Sequence, residues 1–129
     1  MHIEHLAIWV DNLELMRSFY EKYFSTVSCK KYTNTKKQFN SYFLSFEDGG
    51  ARIELMHRPD IEKNNFLRHT IKGYTHIAIA AGSKEKVIQI TEQLRLDGYK
   101  IIGEPRTTGD GYYESVILDP EGNSIEITV

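Results

Sequence analysis

From Leu13 to Phe24 the apolar residues Leu13, Met16, Phe19, Tyr20 and Tyr23 recur at steps of three and four, so the spacing predicts a helix with one buried face. Asp11 or Asn12 stands where its N-cap belongs. Before the helix, Ile3 to Val10 is rich in β-branched and aromatic residues and reads as a strand. After it come three weaker strands, near Val27–Tyr32, Phe39–Phe46 and Arg52–His57, the last two joined by the turn Glu47-Asp48-Gly49-Gly50. Residues 58–73 are polar, carry Pro59 and Gly73, and show no clear period, which marks a linker. The same order then returns. A strand at Tyr74–Ala80 precedes Ser83 as N-cap and a helix with Val87, Ile90 and Leu94 on one face, and Gly98 occupies the left-handed C′ position. Strands near Tyr99–Ile102, Tyr112–Leu118 and Asn123–Thr128 follow, with Asp119-Pro120-Glu121-Gly122 as the last turn. The expected fold is therefore α+β: two tandem βαβββ modules, 1–57 and 74–129, in one domain spanning 1–129 and joined by the linker 58–73.

The repeat extends to chemistry. His5 opens His-Leu-Ala-Ile and His76 opens His-Ile-Ala-Ile, and each is answered about fifty residues later by a Gly-x-x-Ile-Glu ending, at Glu54 and Glu126. The histidines stand 71 positions apart and the glutamates 72. Side chains alternate faces along a strand. Leu6 and Ile8 thus oppose His5, Ala7 and Trp9, while Ile77 and Ile79 oppose His76, Ala78 and Ala80. Likewise Ile53 and Leu55 oppose Arg52, Glu54 and Met56, and Ile125 and Ile127 oppose Ser124, Glu126 and Thr128. All four strands turn branched aliphatics to one face, suited to a covering helix, and turn a candidate ligand to the other.

Imidazole nitrogen and carboxylate oxygen suit Zn²⁺, Ni²⁺, Co²⁺, Mn²⁺ or Fe²⁺ better than Ca²⁺ or Mg²⁺, which prefer all-oxygen sites. Cys29 is the only cysteine, so thiolate clusters and intrachain disulfides are excluded. Four ligands, His5, Glu54, His76 and Glu126, leave two positions of a six-coordinate ion open. Such an ion can polarise a carbonyl and stabilise an enediolate, and an adjacent carboxylate can take the proton that forms it.

Composition narrows the alternatives. The 129 residues are 40% hydrophobic and 26% charged, as in an ordinary globular domain. A net charge of −2 provides no broad positive field for nucleic acid. No apolar run approaches the length of a membrane span, and Met1-His2-Ile3-Glu4-His5 lacks the features of a signal peptide, so a reducing cytoplasm is expected.

With these motifs in view, the chain resembles the vicinal-oxygen-chelate superfamily, and most of all its short glyoxalase I-like branch. The resemblance rests on the paired modules, the His-Leu-Ala-Ile opening with Tyr20 and Phe24 in its helix, Gly73-Tyr74-Thr75-His76-Ile77-Ala78, and Asp119 to Glu126. It implies a curved mixed sheet and a Zn- or Ni-dependent lyase or isomerase that shuffles a proton on a small α-hydroxycarbonyl or thiohemiacetal through a metal-bound enediolate. In that reading Glu126 is the principal base and Glu54 a ligand and second proton carrier. A homodimer is implied, with sites within one chain or shared between two. The same superfamily holds metal-free antibiotic-binding proteins of the bleomycin-resistance kind, and dioxygenases that use two histidines and one glutamate. The fourth ligand, Glu54, argues against both. Trp9 stands where glutathione-using glyoxalases place an arginine, and the stretch after Glu54 lacks their usual asparagine, which argues against glutathione.

Trp9 and Met56, on the ligand face, are expected as pocket walls, with core packing as the competing account. Arg52 or Arg58 is the candidate for the missing positive charge, and Tyr113, after the loop 107–111, is a candidate substrate contact beside Tyr112. Arg106 is expected to be solvated, Cys29 to be a packed thiol, and His2, His57 and His69 to have no part in the site.

Overall fold

The computed structural model describes residues 1–63 and 72–129. They fall into two compact units, Met1–Lys63 and a second whose described part begins at 72.

The first unit starts with β1 (His5–Trp9), α1 (Leu13–Phe24), β2 (Thr26–Ser28) and β3 (Tyr32–Asn34), and ends with β4 (Phe39–Phe46) and β5 (Arg52–His57). Of the two candidate caps Asn12 is used: its side chain accepts the Leu15 amide N–H at 3.0 Å. Met16, Phe19 and Tyr20 on the inner face of α1 are fully buried, each burial contributing about 2–3 kcal/mol. They meet the aliphatic face of a five-stranded sheet of order β1-β5-β4-β2, with β3 also on β4. Strand β1 runs parallel to β5, and the other pairs are antiparallel.

The expected strand over Val27–Tyr32 is two shorter strands. Ser28 pairs with Leu44 and Tyr32 with Ser41, so four steps along one edge oppose three along β4. One residue of Cys29-Lys30-Lys31 is therefore extra, a bulge that reverses which side chains face which way. Ser28 points to α1, where its hydroxyl donates to Glu21 at 2.6 Å, but Tyr32 and Asn34 share the opposite face with Ser41 and Phe39. Asn34 then caps a single 3₁₀ turn, Thr35–Lys37, by accepting the Lys37 amide at 3.1 Å. The alternation pattern gave no sign of this insertion.

The second unit repeats the plan with β6 (His76–Ala80), α2 (Lys84–Leu96), β7 (Ile101–Thr107), β8 (Tyr113–Leu118) and β9 (Ser124–Thr128) in the order β6-β9-β8-β7. Again the first and last strands, β6 and β9, are parallel. Ser83 caps α2 through the Lys86 N–H, and Gly98 (φ +86°) ends it. The Tyr99 amide donates to Leu94 O at 2.9 Å and Gly98 N–H to Arg95 O at 3.1 Å, the paired bonds of a left-handed helix stop.

Two expectations shift here. Ile90 is only half-buried; Thr91 lies in the core with Val87 and Leu94. Its hydroxyl donates to Val87 O at 2.6 Å and is 2.7 Å from Ser115 Oγ on β8, so the polar atoms are satisfied internally. Strand β7 also continues to Thr107 through Pro105, which an edge strand tolerates. The stretch after it is a turn closed by the Thr108 N–H to Tyr112 O bond at 2.8 Å and the Gly111 N–H to Thr108 O bond at 3.0 Å.

Asp119 organises the turn between β8 and β9. It is buried, and its carboxylate accepts the amides of Glu121 and Asn123 at 2.9 and 2.8 Å and the Asn123 side chain at 2.7 Å. Burial raises its pKa, the three N–H donors only partly offsetting it.

Candidate functional site

Each unit presents one histidine and one glutamate by the same register. Ala7 lies opposite Glu54 and Ala78 opposite Glu126 across the parallel pairs, with His5 and His76 two residues back along their strands. A methyl group opposite each glutamate leaves room for the imidazole to lean over it. His5 Nε2 comes within 3.9 Å of Glu54 Oε2, and His76 Nε2 within 3.5 Å of Glu126 Oε2. Both glutamates are half-buried.

The other ring nitrogens are held. His5 Nδ1 is hydrogen-bonded to the Glu4 carboxylate, and His76 Nδ1 lies 2.9 Å from the Thr75 hydroxyl. A proton on each Nδ1 satisfies both contacts and leaves each Nε2 lone pair toward its glutamate. Hydrogen bonds from His5, then from Arg52, hold the Glu4 carboxyl below the usual range. Arg52 also stacks 4.2 Å over Phe43, whose ring meets His5 edge-on. Glu4 was not among the expected site residues; its place beside His5, just before the strand, was the available signal.

These groups fit a divalent ion. Two ligands about 2.1 Å from one ion stand roughly 3.0–3.4 Å apart at octahedral or tetrahedral angles. The His76–Glu126 pair is at that spacing and the His5–Glu54 pair about half an ångström beyond it. An Nδ1–H given to an oxygen acceptor is the usual second support of a metal-binding imidazole. Within neither unit, among the described residues, do three His, Cys, Asp or Glu side chains gather into a metal-holding group. Each unit supplies a pair of donors.

The second unit adds a carboxyl that sequence reasoning passed over. Glu114 on β8 shares the face of Glu126 and lies 3.4 Å from Arg106. Burial and the charge of Glu126 raise the Glu114 pKa, while Arg106 opposes the shift. Strand parity with Val116 could have found it. Arg106 is accordingly paired rather than merely solvated.

The remaining expected residues divide. Trp9 and Met56 lie on the face of His5 and Glu54, Trp9 36% exposed with its ring edge-on to Phe39. Arg52 shares that face but is bound to Glu4, and Arg58 is bound to Asp60. Tyr113 is on the opposite face of its sheet, toward α2, with Lys84 5.0 Å over its ring, so it is not brought to His76 and Glu126. Cys29 is exposed rather than packed, its thiol donating to Lys30 O and accepting the Phe43 N–H, both at 3.3 Å. His57 Nδ1 bonds Val10 O at 2.9 Å, tying β5 to the end of β1. His69 lies outside the described residues.

Residues 2–127 match the profile of the Glyoxalase/Bleomycin resistance protein/Dioxygenase superfamily. The chain belongs to this superfamily. The superfamily generally uses divalent metals, and proteins of the glyoxalase fold commonly act on small molecules as dimers. This superfamily member is 25% identical over 128 residues to the uncharacterized protein YqjT of Bacillus subtilis (strain 168), covering 97% of this chain and 96% of that one. It is also similar to a possible glyoxalase from Bacillus cereus (25% identity, TM-score 0.73, covering 100% of this chain and 99% of that one). A glyoxalase I mutant from Zea mays shares the fold at 23% identity and TM-score 0.80, covering 98% of this chain but 44% of that one. The trypanothione-dependent glyoxalase I of Leishmania major shares it at 21% identity and TM-score 0.78, covering 99% and 86%. Among the described residues no helix is long and apolar enough to cross a membrane.

Proposed function

We propose that this superfamily member is a glyoxalase I-like lyase or isomerase that moves a proton between adjacent carbons of a small α-hydroxycarbonyl or thiohemiacetal. The observation that carries the reading is the twice-built histidine–glutamate pair, with each Nε2 turned to its carboxylate and each Nδ1 held from behind. His5, Glu54, His76 and Glu126 would hold a divalent ion, Zn²⁺ or Ni²⁺ best matching one nitrogen and one oxygen per pair. Such an ion supplies Lewis acidity to a substrate carbonyl oxygen. Glu126 would take the proton from one carbon and return it to the neighbouring one, with Glu54 the second carboxylate able to carry it. Burial and the charge of Glu126 push the pKa of the nearby Glu114 upward, while Arg106 opposes the shift. Glutathione is not part of the proposal, because the position of its usual arginine is Trp9. The two units act as modules of one domain, and the protein works as a homodimer in a reducing cytoplasm, where exposed Cys29 stays a thiol.

The test is equilibrium binding of Ni²⁺ or Zn²⁺ to purified full-length chain, followed by proton exchange on a small α-hydroxyaldehyde in D₂O. About one ion per chain is expected, lost in His76→Ala, with exchange lost in Glu126→Gln. A chain that takes up neither ion refutes the reading.

A further inference from the structure

The sheet face that carries His5 and Glu54 continues into an open hollow of about 360 Å³ within the first unit. Its walls are Trp9, Tyr32, Phe39 and Met56, and its rim carries Lys37 and Arg58. The volume is that of a small-ligand site. Tyr32 and Trp9 both meet the Phe39 ring, at centroid distances of 6.0 and 6.1 Å, yet remain 55% and 36% exposed, so aromatic faces are left open. Tyr32 reaches this face only through the one-residue bulge before β3.

A second hollow of about 490 Å³ adjoins the first, sharing Lys37 and Arg58 and adding Lys36 and Asp60. Asp60 is engaged by Arg58. Among the described residues neither Lys36 nor Lys37 is paired with an acid, so the rim has net positive charge beside an aromatic floor. Met56 is two residues beyond Glu54 on β5, placing the floor about 7 Å along the sheet from that carboxylate.

We infer that this hollow is a binding site for a flat aromatic group bearing an anionic substituent, the ring against Trp9, Tyr32, Phe39 and Met56 and the anion at Lys37. The inference deepens the proposed function by naming the substrate class, an aryl anion with its reacting oxygens about 7 Å away toward Glu54. It rests on that reading only for which end of the molecule reacts.

Trp9 is the only tryptophan, so its indole N–H resonance reports directly on the hollow. Chelator-treated full-length protein would be titrated with 2-naphthylacetate, its neutral amide, and acetate. Omitting metal makes the result independent of the metal reading. Saturable displacement of the indole resonance by naphthylacetate is expected, with the amide bound about threefold more weakly, as befits one exposed charge pair, and acetate inactive. Lys37→Gln should bring naphthylacetate down to the amide's affinity and leave the amide unchanged. Tyr32→Ala, at an exposed edge position, should weaken both aromatic probes about fivefold. Equal affinity for acid and amide, or no saturable response to either, overturns the inference. Failure of metal binding with these results intact would overturn the proposed reaction alone.

Discussion

The buried pair Thr91–Ser115 joins α2 to β8 behind the sheet face that carries His76 and Glu126, and its hydrogens can be assigned. A threonine hydroxyl has one proton, and that of Thr91 goes to Val87 O at 2.6 Å. The 2.7 Å contact must then be Ser115 Oγ–H donating to Thr91 Oγ1. The two single substitutions are therefore unequal. Ser115→Ala removes a donor and leaves Thr91 still donating to Val87, a loss of about 1 kcal/mol. Thr91→Val keeps the shape but leaves the Ser115 hydroxyl buried without an acceptor, costing about 2–3 kcal/mol. The double variant removes both hydroxyls and should be less destabilised than Thr91→Val alone, giving a coupling energy of at least about 1 kcal/mol. Urea unfolding followed by far-ultraviolet circular dichroism measures all three, and each kcal/mol should lower Tm by about 3–5 °C. Additive losses, or a Ser115→Ala loss as large as that of Thr91→Val, would refute the proton assignment.

Glu4→Ala should weaken Ni²⁺ or Zn²⁺ binding tenfold or more by releasing His5 Nδ1, with unfolding midpoints unchanged because Glu4 is exposed; competition with a chromogenic chelator reads the affinity. The pKa of Asp119 is raised on folding, so its contribution to stability is complete below the ordinary aspartate value and declines as pH rises through the raised one. Wild type should therefore lose stability relative to Asp119→Asn as pH rises from about 4 in parallel urea titrations, and a constant difference would contradict this. Gly98→Ala meets no atom within 4 Å, so its cost should be the left-handed backbone alone, about 1 kcal/mol by thermal unfolding.

What was legible in the sequence was what periodicity and repetition can encode. Leu13–Phe24 and Phe39–Phe46 have the expected bounds, because an amphipathic helix and a long central strand impose their periods over many residues. Strand parity correctly put His5 with Trp9 and Glu54 with Met56 on one face. The expectation for Tyr113 rested on the loop before it; parity along β8 gives the inward place beside Glu126 to Glu114 instead. Helical periodicity missed Thr91, since a buried threonine looks polar until Ser115 is known to face it. Glu4 and the edge bulge depend on a cross-strand partner, and one strand's pattern carries no record of its neighbour's.

The extra residue at Cys29-Lys30-Lys31 also gives the fold slack in length at this edge. Deleting one of these three residues would leave three steps opposite three, so Tyr32 would still pair with Ser41 and Asn34 with Phe39, on the face they hold now. The edge would lose its bulge while the wall of the hollow kept its chemistry. A one-codon deletion at an exposed edge, where the core has little stake, is thus a change of length that the wall does not register.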